Sequence, residues 1–137
     1  MLQLLYISTA REPITSAFCD RILRVSRRNN RAADITGLLV AGQRRFLQAL
    51  EGPEAAVRVT YARIAADPSH LGCIVLSERQ VETRAFGAWA MGYTAGGDDR
   101  LLGDDLPAIV AALAGPIEDP NLRAQFTGFA DIQSKAA

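Results

Sequence analysis

Phe46-Leu47-Gln48-Ala49-Leu50-Glu51-Gly52-Pro53-Glu54 is the stretch from which the fold can be worked outward. Alternation puts Phe46, Gln48 and Leu50 on one face of a strand. Gly52-Pro53-Glu54 then opens a helix, with proline at its first position and a carboxylate near the positive end. Upstream, Ile35 to Ala41 is a second apolar run, and Gly42-Gln43-Arg44 joins the two runs as an antiparallel hairpin. Gln48 breaks the apolar pattern. On a buried face its carboxamide needs a partner, because an unpaired buried polar group costs about 1–3 kcal/mol.

The same reading extends in both directions. Leu2 to Ser8 is a strand with Leu4, Tyr6 and Ser8 on one face. From about Pro13 to Asn30 the positions Ile14, Phe18, Ile22, Val25 and Asn29 form one stripe of an amphipathic helix, and Cys19, Leu23, Ser26 and Asn30 form a second row. Both rows end in an amide. Val57, Tyr61 and Ile64 give the second helix its buried stripe, and Asp67-Pro68 ends it. Cys73 to Val81 reads as a fourth strand and Trp89 to Thr94 as a fifth. After Gly96-Gly97-Asp98-Asp99 come a helix over Leu106 to Ala114 and another over Asn121 to Ile132. The stripe Leu122, Phe126, Phe129, Ile132 on the last helix must cover either its own sheet or another subunit. The order predicts an α+β, ferredoxin-like βαββαββ fold: one mostly antiparallel sheet with two helices on one face, plus a C-terminal helical extension. The boundary falls at residues 96/97.

Composition narrows the function. With 137 residues, 49% of them hydrophobic and 22% charged, the chain is long enough for one globular core. Fifteen basic and fifteen acidic residues cancel, against general nucleic-acid binding or a membrane attachment by charge. Residues 1 to 63 nevertheless carry ten arginines against Glu12, Asp20, Asp34, Glu51 and Glu54, so the first half has a basic face. No apolar run is long enough to span a bilayer and no signal peptide is present, which predicts a cytoplasmic protein. Cys19 and Cys73, without CxxC spacing, read as reduced and buried thiols; with one histidine they make no zinc site. There is no nucleophile elbow, phosphate loop or dinucleotide fingerprint, and His70, after Asp67-Pro68-Ser69, reads as a loop residue. What remains is a phenol, Tyr6, and up to three amides, Asn29, Asn30 and Gln48, placed so that they would converge between sheet and helices; taken singly, the tyrosine reads as bonded to a backbone carbonyl, each asparagine as a helix-end cap and the glutamine as facing water. That set suits a flat ligand with an amide-like edge, since amides donate and accept together.

In order and spacing, Leu5-Tyr6-Ile7-Ser8, Asn29-Asn30-Arg31 with Ile35-Thr36-Gly37-Leu38-Leu39, Phe46 to Pro53, and Phe86-Gly87-Ala88-Trp89-Ala90-Met91 resemble a BLUF domain, the blue-light sensor class that uses FAD. The resemblance covers about residues 2 to 95. It implies a non-covalent flavin whose ring slots between the two helices, with Asn30 and Asn29 on its carbonyl and imide edge and Gln48 bridging that edge to the hydroxyl of Tyr6. It implies apolar walls from Ile22, Leu39, Phe46 and Ile64, and places Arg63, Asp67 and His70 toward the pyrimidine or ribityl side. Ser69 departs from a position that is often basic in the family. Tyr6 would be the electron and proton donor and Gln48 the relay, with output through the last strand, where either Trp89 or Met91 faces the flavin. FMN in place of FAD is left open. Such a chain is a sensor and not an enzyme, acting as a homo-oligomer or on an unidentified downstream protein, because about 40 residues after the sensor are too few for an attached output domain. Two other readings of a small ferredoxin-like chain stand beside it: an acylphosphatase-like enzyme, for which a phosphate loop after the first strand is lacking, and a plain interaction module.

Overall fold

The computed structural model describes residues 1–42, 44–87, 92–95 as backbone, and 106–135. In chain order the elements are β1 (Leu2–Ala10), α1 (Ser16–Ala33), β2 (Thr36–Ala41), β3 (Arg45–Gly52), α2 (Glu54–Ala66), β4 (His70–Gln80), β5 (Gly92–Ala95), α3 (Leu106–Ala114) and α4 (Pro120–Lys135). The sheet runs β4-β1-β3-β2-β5, antiparallel except for the parallel β2–β5 pair. It is the ferredoxin-like arrangement that the sequence predicts.

β3, the strand that decides the fold, lies at the centre. It pairs with β1 so that Tyr6 stands opposite Gln48, and with β2 so that Leu39 stands on the other side of Gln48. The central strands β1, β3 and β2 are buried on both faces, whereas β4 at the edge is largely exposed. Leu2, Leu4, Tyr6, Leu39, Phe46 and Leu50 pack on the inner face with Cys19 and Leu23 of α1 and Val57 of α2. Leu5, Leu38, Val40, Leu47 and Ala49 point to the outer face, where α3 and α4 cover them through Val110, Leu122, Phe126 and Phe129. The C-terminal stripe thus covers its own sheet. Of its four residues only Ile132 stays free, at 65% exposed. Leu122, Phe126 and Phe129 are therefore occupied within the chain and offer nothing to a second subunit.

Local boundaries differ from the expected ones for identifiable reasons. α1 begins at Ser16 because Thr15 is its N-cap and accepts a hydrogen bond from the Phe18 amide at 3.2 Å; Ile14 packs in the core before the helix starts. The helix runs past Asn30 to Ala33, where Asp34 in left-handed conformation caps it. Pro53 is the N-cap of α2 and not its first helical residue. β4 starts at His70, three residues before the apolar run, because Gly72 takes up φ +57° at an irregularity in the β1–β4 register and breaks the alternation there. His70 is therefore a strand residue and not a loop residue. Cys19 is buried, but Cys73 is only half-buried, and neither is in a disulfide. β5 overlaps the end of the strand expected over Trp89 to Thr94; Trp89, Met91 and the turn at Gly96 to Asp99 lie outside the described residues.

Phe126 is fully buried and meets Phe86 edge-on at 6.0 Å between ring centroids. Phe126→Ala is expected to lower unfolding stability by about 3–5 kcal/mol, read as a shift in the urea midpoint. A loss near zero would mean that α4 does not pack on its own sheet.

Candidate functional site

The inner face is not filled along its whole width. Between α1 and α2 lies a groove with a cavity volume of about 290 Å³, at the small end of the range for small-molecule pockets. The two helical rows explain it. Cys19, Leu23 and Asn30 turn to the sheet and are buried, whereas Phe18, Ile22, Val25 and Asn29 form one wall of the groove. That stripe is only partly covered: Phe18 and Ile22 are half-buried against the inner core and Val25 is 48% exposed. Thr60, Arg63 and Ile64 of α2 form the opposite wall. Asp67, Ser69 and His70 close one end.

At the floor stands Gln48, 3% exposed. Its Oε1 accepts a hydrogen bond from the hydroxyl of Tyr6, so the two register partners on β1 and β3 satisfy each other inside the core. Burial holds the Tyr6 phenol well above its ordinary value of 10, with the Cys73 thiol and the Tyr61 phenol adding to the shift. Tyr6 is therefore a neutral phenol at any physiological pH. Tyr61 lies edge-on to it at 5.1 Å.

The groove thus brings together Ile22, Asn29, Asn30, Gln48, Arg63, Ile64, Asp67 and His70. Tyr6 and Leu39 do not line it; they are core residues flanking Gln48 on β1 and β2. Phe46 also belongs to the core, stacked on Phe18 at 6.1 Å and against His70 at 5.2 Å. Two lining residues escape the sequence reading. Arg21 is one turn after Phe18 on the groove stripe, with its guanidinium 5.9 Å over the Phe18 ring. Thr60 is buried one turn before Ile64. Helical spacing from Phe18 and Ile64 reaches both, once the stripe is read as a wall and not as core.

His70 is held by its surroundings. Its Nδ1 is 3.1 Å from the Ser8 hydroxyl, and its amide donates to the Asp67 carbonyl at 3.1 Å. Burial lowers its pKa from the ordinary 6.5, opposed by the Asp67 carboxylate. The imidazole at this end of the groove is neutral at pH 7.

Amide donors and acceptors on the floor, apolar walls and guanidinium groups of Arg21 and Arg63 at the sides fit a planar heterocycle with an amide-like edge and an anionic extension. Among the described residues no group of His, Cys, Asp and Glu could hold a metal ion, and no helix is long and apolar enough to cross a membrane.

Comparisons with known proteins agree with this geometry. The family model described as "BLUF: Sensors of blue-light using FAD" matches residues 1–92. A photoactivated adenylate cyclase subunit beta-like protein of Euglena gracilis is 33% identical over 91 residues, 65% of this chain and 11% of that protein. The blue light- and temperature-regulated antirepressor BluF of Escherichia coli (strain K12) is 32% identical over 88 residues, 64% of this chain and 22% of its own. The chain thus spans only a small part of these relatives. Among solved structures, the dark state of the BLUF protein BlrB superposes with a TM-score of 0.70 at 29% identity, covering 93% of this chain and 95% of the other.

The neutral state of His70 carries a pH signature. Its lowered pKa means that the unfolded chain takes up a proton below about 6.5 that the fold resists. Stability is therefore highest above about pH 6.5, declines as pH falls from there toward the folded value, and levels off beneath it. The melting temperature is expected to drop between about pH 7.5 and 5.5, and His70→Asn to flatten this drop. An identical pH slope in the variant would refute the assignment.

Proposed function

The chain belongs to the BLUF family of flavin-binding blue-light sensors, and we propose that its photochemistry is carried by the Tyr6–Gln48 pair behind the groove. The observation that carries the reading is the buried hydrogen bond from the Tyr6 hydroxyl to Gln48 Oε1 at the floor of a groove open between two helices. A bound isoalloxazine supplies absorption of blue light and, once excited, a strong oxidant. The remaining chemistry belongs to side chains. Tyr6, protonated and out of reach of water, would give up an electron to that oxidant together with its phenolic proton, and regain both before the cycle closes. Gln48, which accepts that proton's hydrogen bond, is the group through which the proton leaves and returns.

A carboxamide suits this role because its two ends differ only in donor and acceptor sense. After one cycle Gln48 is left turned or in its other tautomer, and it offers the groove a different hydrogen bond. That difference shifts absorption to the red.

Asn30 and Asn29 would hold the carbonyl and imide edge of the ring and Ile22 and Ile64 its faces, with His70 and Asp67 at the end of the groove that these residues line. Leu39 and Phe46 act from beneath, by fixing Gln48 and Phe18. FAD is the ligand. FMN would meet the same lining residues, with the guanidinium groups of Arg21 and Arg63 available to its phosphate.

Residues 1–96 act as the sensor and residues 97–137 as the output element, in a cytoplasmic protein that signals to a separate protein or by a change of self-assembly. Among the described residues, a surface that a second copy or a partner could use is β4, an edge strand with Leu71, Ile74 and Leu76 exposed.

Purified protein is expected to be yellow, and blue light to give a small red shift that reverses in the dark. Tyr6→Phe and Gln48→Leu should each keep the flavin and lose the shift; a normal photocycle in either would refute the roles of donor and relay. A variant lacking Cys19 and Cys73 should respond as the wild type does, and a Cys-free protein blind to light would overturn the mechanism.

A further inference from the structure

Glu51 is a carboxylate with no exposure to solvent in the middle of the sheet. It stands on β3 three residues after Gln48 and on the opposite face, with Gln3 of β1 and Thr36 of β2 as its register partners. Both neighbours donate to it, Gln3 Nε2 at 3.2 Å and Thr36 Oγ1 at 2.9 Å. Two further bonds come from main-chain amides far along the chain, Ala85 N at 3.0 Å and Phe86 N at 2.6 Å. Each carboxylate oxygen thus accepts two hydrogen bonds.

Arg84 ties the same knot from its other side. Its guanidinium donates to Thr36 Oγ1 at 2.9 Å, to the Glu51 carbonyl at 3.3 Å and to the Asp34 carbonyl at 2.9 Å, and pairs with the Asp34 carboxylate at 3.1 Å. Asp34 is the cap of α1, the helix that presents Asn29 and Asn30 to the groove. Gly52 is required at the next position, since a Cβ there would meet the Asp34 carbonyl oxygen at 2.6 Å.

An apolar residue would fill a sheet interior at lower cost than an ionised carboxylate, which is retained only with its hydrogen bonds satisfied. What Glu51 gains for the structure is a grip on residues 85 and 86. Phe86 enters the outer core and lies edge-on to Phe126 of α4. A single strand therefore holds the amide of the photoactive pair on one face and, on the other, the segment that touches the C-terminal helices.

We propose that Glu51 is the positioning residue that makes Phe86 and α4 follow β3, so that the rearrangement of Gln48 in the groove is delivered to the opposite face of the sheet. The proposal rests on the Tyr6–Gln48 reading above and adds the route by which the signal leaves. β3 and residues 84–86 move as one body because two charge-assisted hydrogen bonds, from the Ala85 and Phe86 amides to the Glu51 carboxylate, and the bond from Arg84 to the Glu51 carbonyl join them. α4 is the element whose packing the motion biases.

Hydrogen exchange tests it in two arms. In flavin-free protein, Glu51→Gln puts an amide NH2 against one of two N–H donors, so the Ala85 or Phe86 amide should exchange about tenfold faster or more; equal rates would overturn the grip. In flavin-loaded protein, illumination should change exchange within Pro120–Lys135 of the wild type. Glu51→Gln should keep the size of the spectral shift and lose most of that α4 response. An undiminished α4 response in the variant, or a wild type whose spectrum shifts while α4 stays silent, would overturn the proposal. Phe86→Leu, which leaves the carboxylate and its amide partners in place, should lose the α4 response likewise, and serves if Glu51→Gln does not fold. A wild type without any spectral shift would remove the Tyr6–Gln48 reading, and this inference with it.

Discussion

Tyr6 and Gln48 face each other across the central strands as register partners, and the hydrogen bond between them is the constraint around which the inner face is built. Leaving either group unpaired in that apolar layer would cost about 1–3 kcal/mol. The phenol is sealed from solvent, and burial keeps it protonated. With Leu39 on the far side of Gln48 and Phe46 two residues before it, the carboxamide has few orientations open to it. A group held in this way stores a state: turning it exchanges one defined hydrogen bond for another.

The sheet turns that local event into something larger because its central strand is buried on both faces. Helices α1 and α2 leave a groove on one side, while α3 and α4 seal the other. β3 is in contact with both. Successive residues of a strand point to opposite faces, so Gln48 and Glu51, three apart, report to different layers. A displacement of the central strand cannot be absorbed by solvent on either side; it must be taken up by packing. The aromatic pair Phe86–Phe126 is where the outer layer meets the segment gripped by Glu51.

The strands, the two inner helices and the convergence of Tyr6, Asn30 and Gln48 are legible in the sequence because they follow from alternation, helical spacing and polar residues breaking an apolar pattern. Other features are not. The stripe Phe18, Ile22, Val25, Asn29 has the period of a core face, and the period alone does not say how far another element covers it; among the described residues the cover is partial, and the stripe becomes a wall. In the same way Leu122, Phe126 and Phe129 announce burial without saying against what, and the choice between their own sheet and a second subunit is a matter of tertiary packing. His70 has the sequence context of a loop because Gly72 interrupts the strand pattern just after it. Glu51 sits inside the most informative stretch of the chain, yet its amide partners lie more than thirty residues away, and no local pattern connects them.

The central claim is that light changes the state of one carboxamide. A light-minus-dark infrared difference spectrum of flavin-loaded protein with isotope-labelled glutamine side chains reads this directly. Glutamine carboxamide bands that move with the label are expected in the wild type and should vanish in Gln48→Leu. Label-sensitive bands that cancel completely in the wild type, in a sample whose visible absorption has shifted, would contradict it.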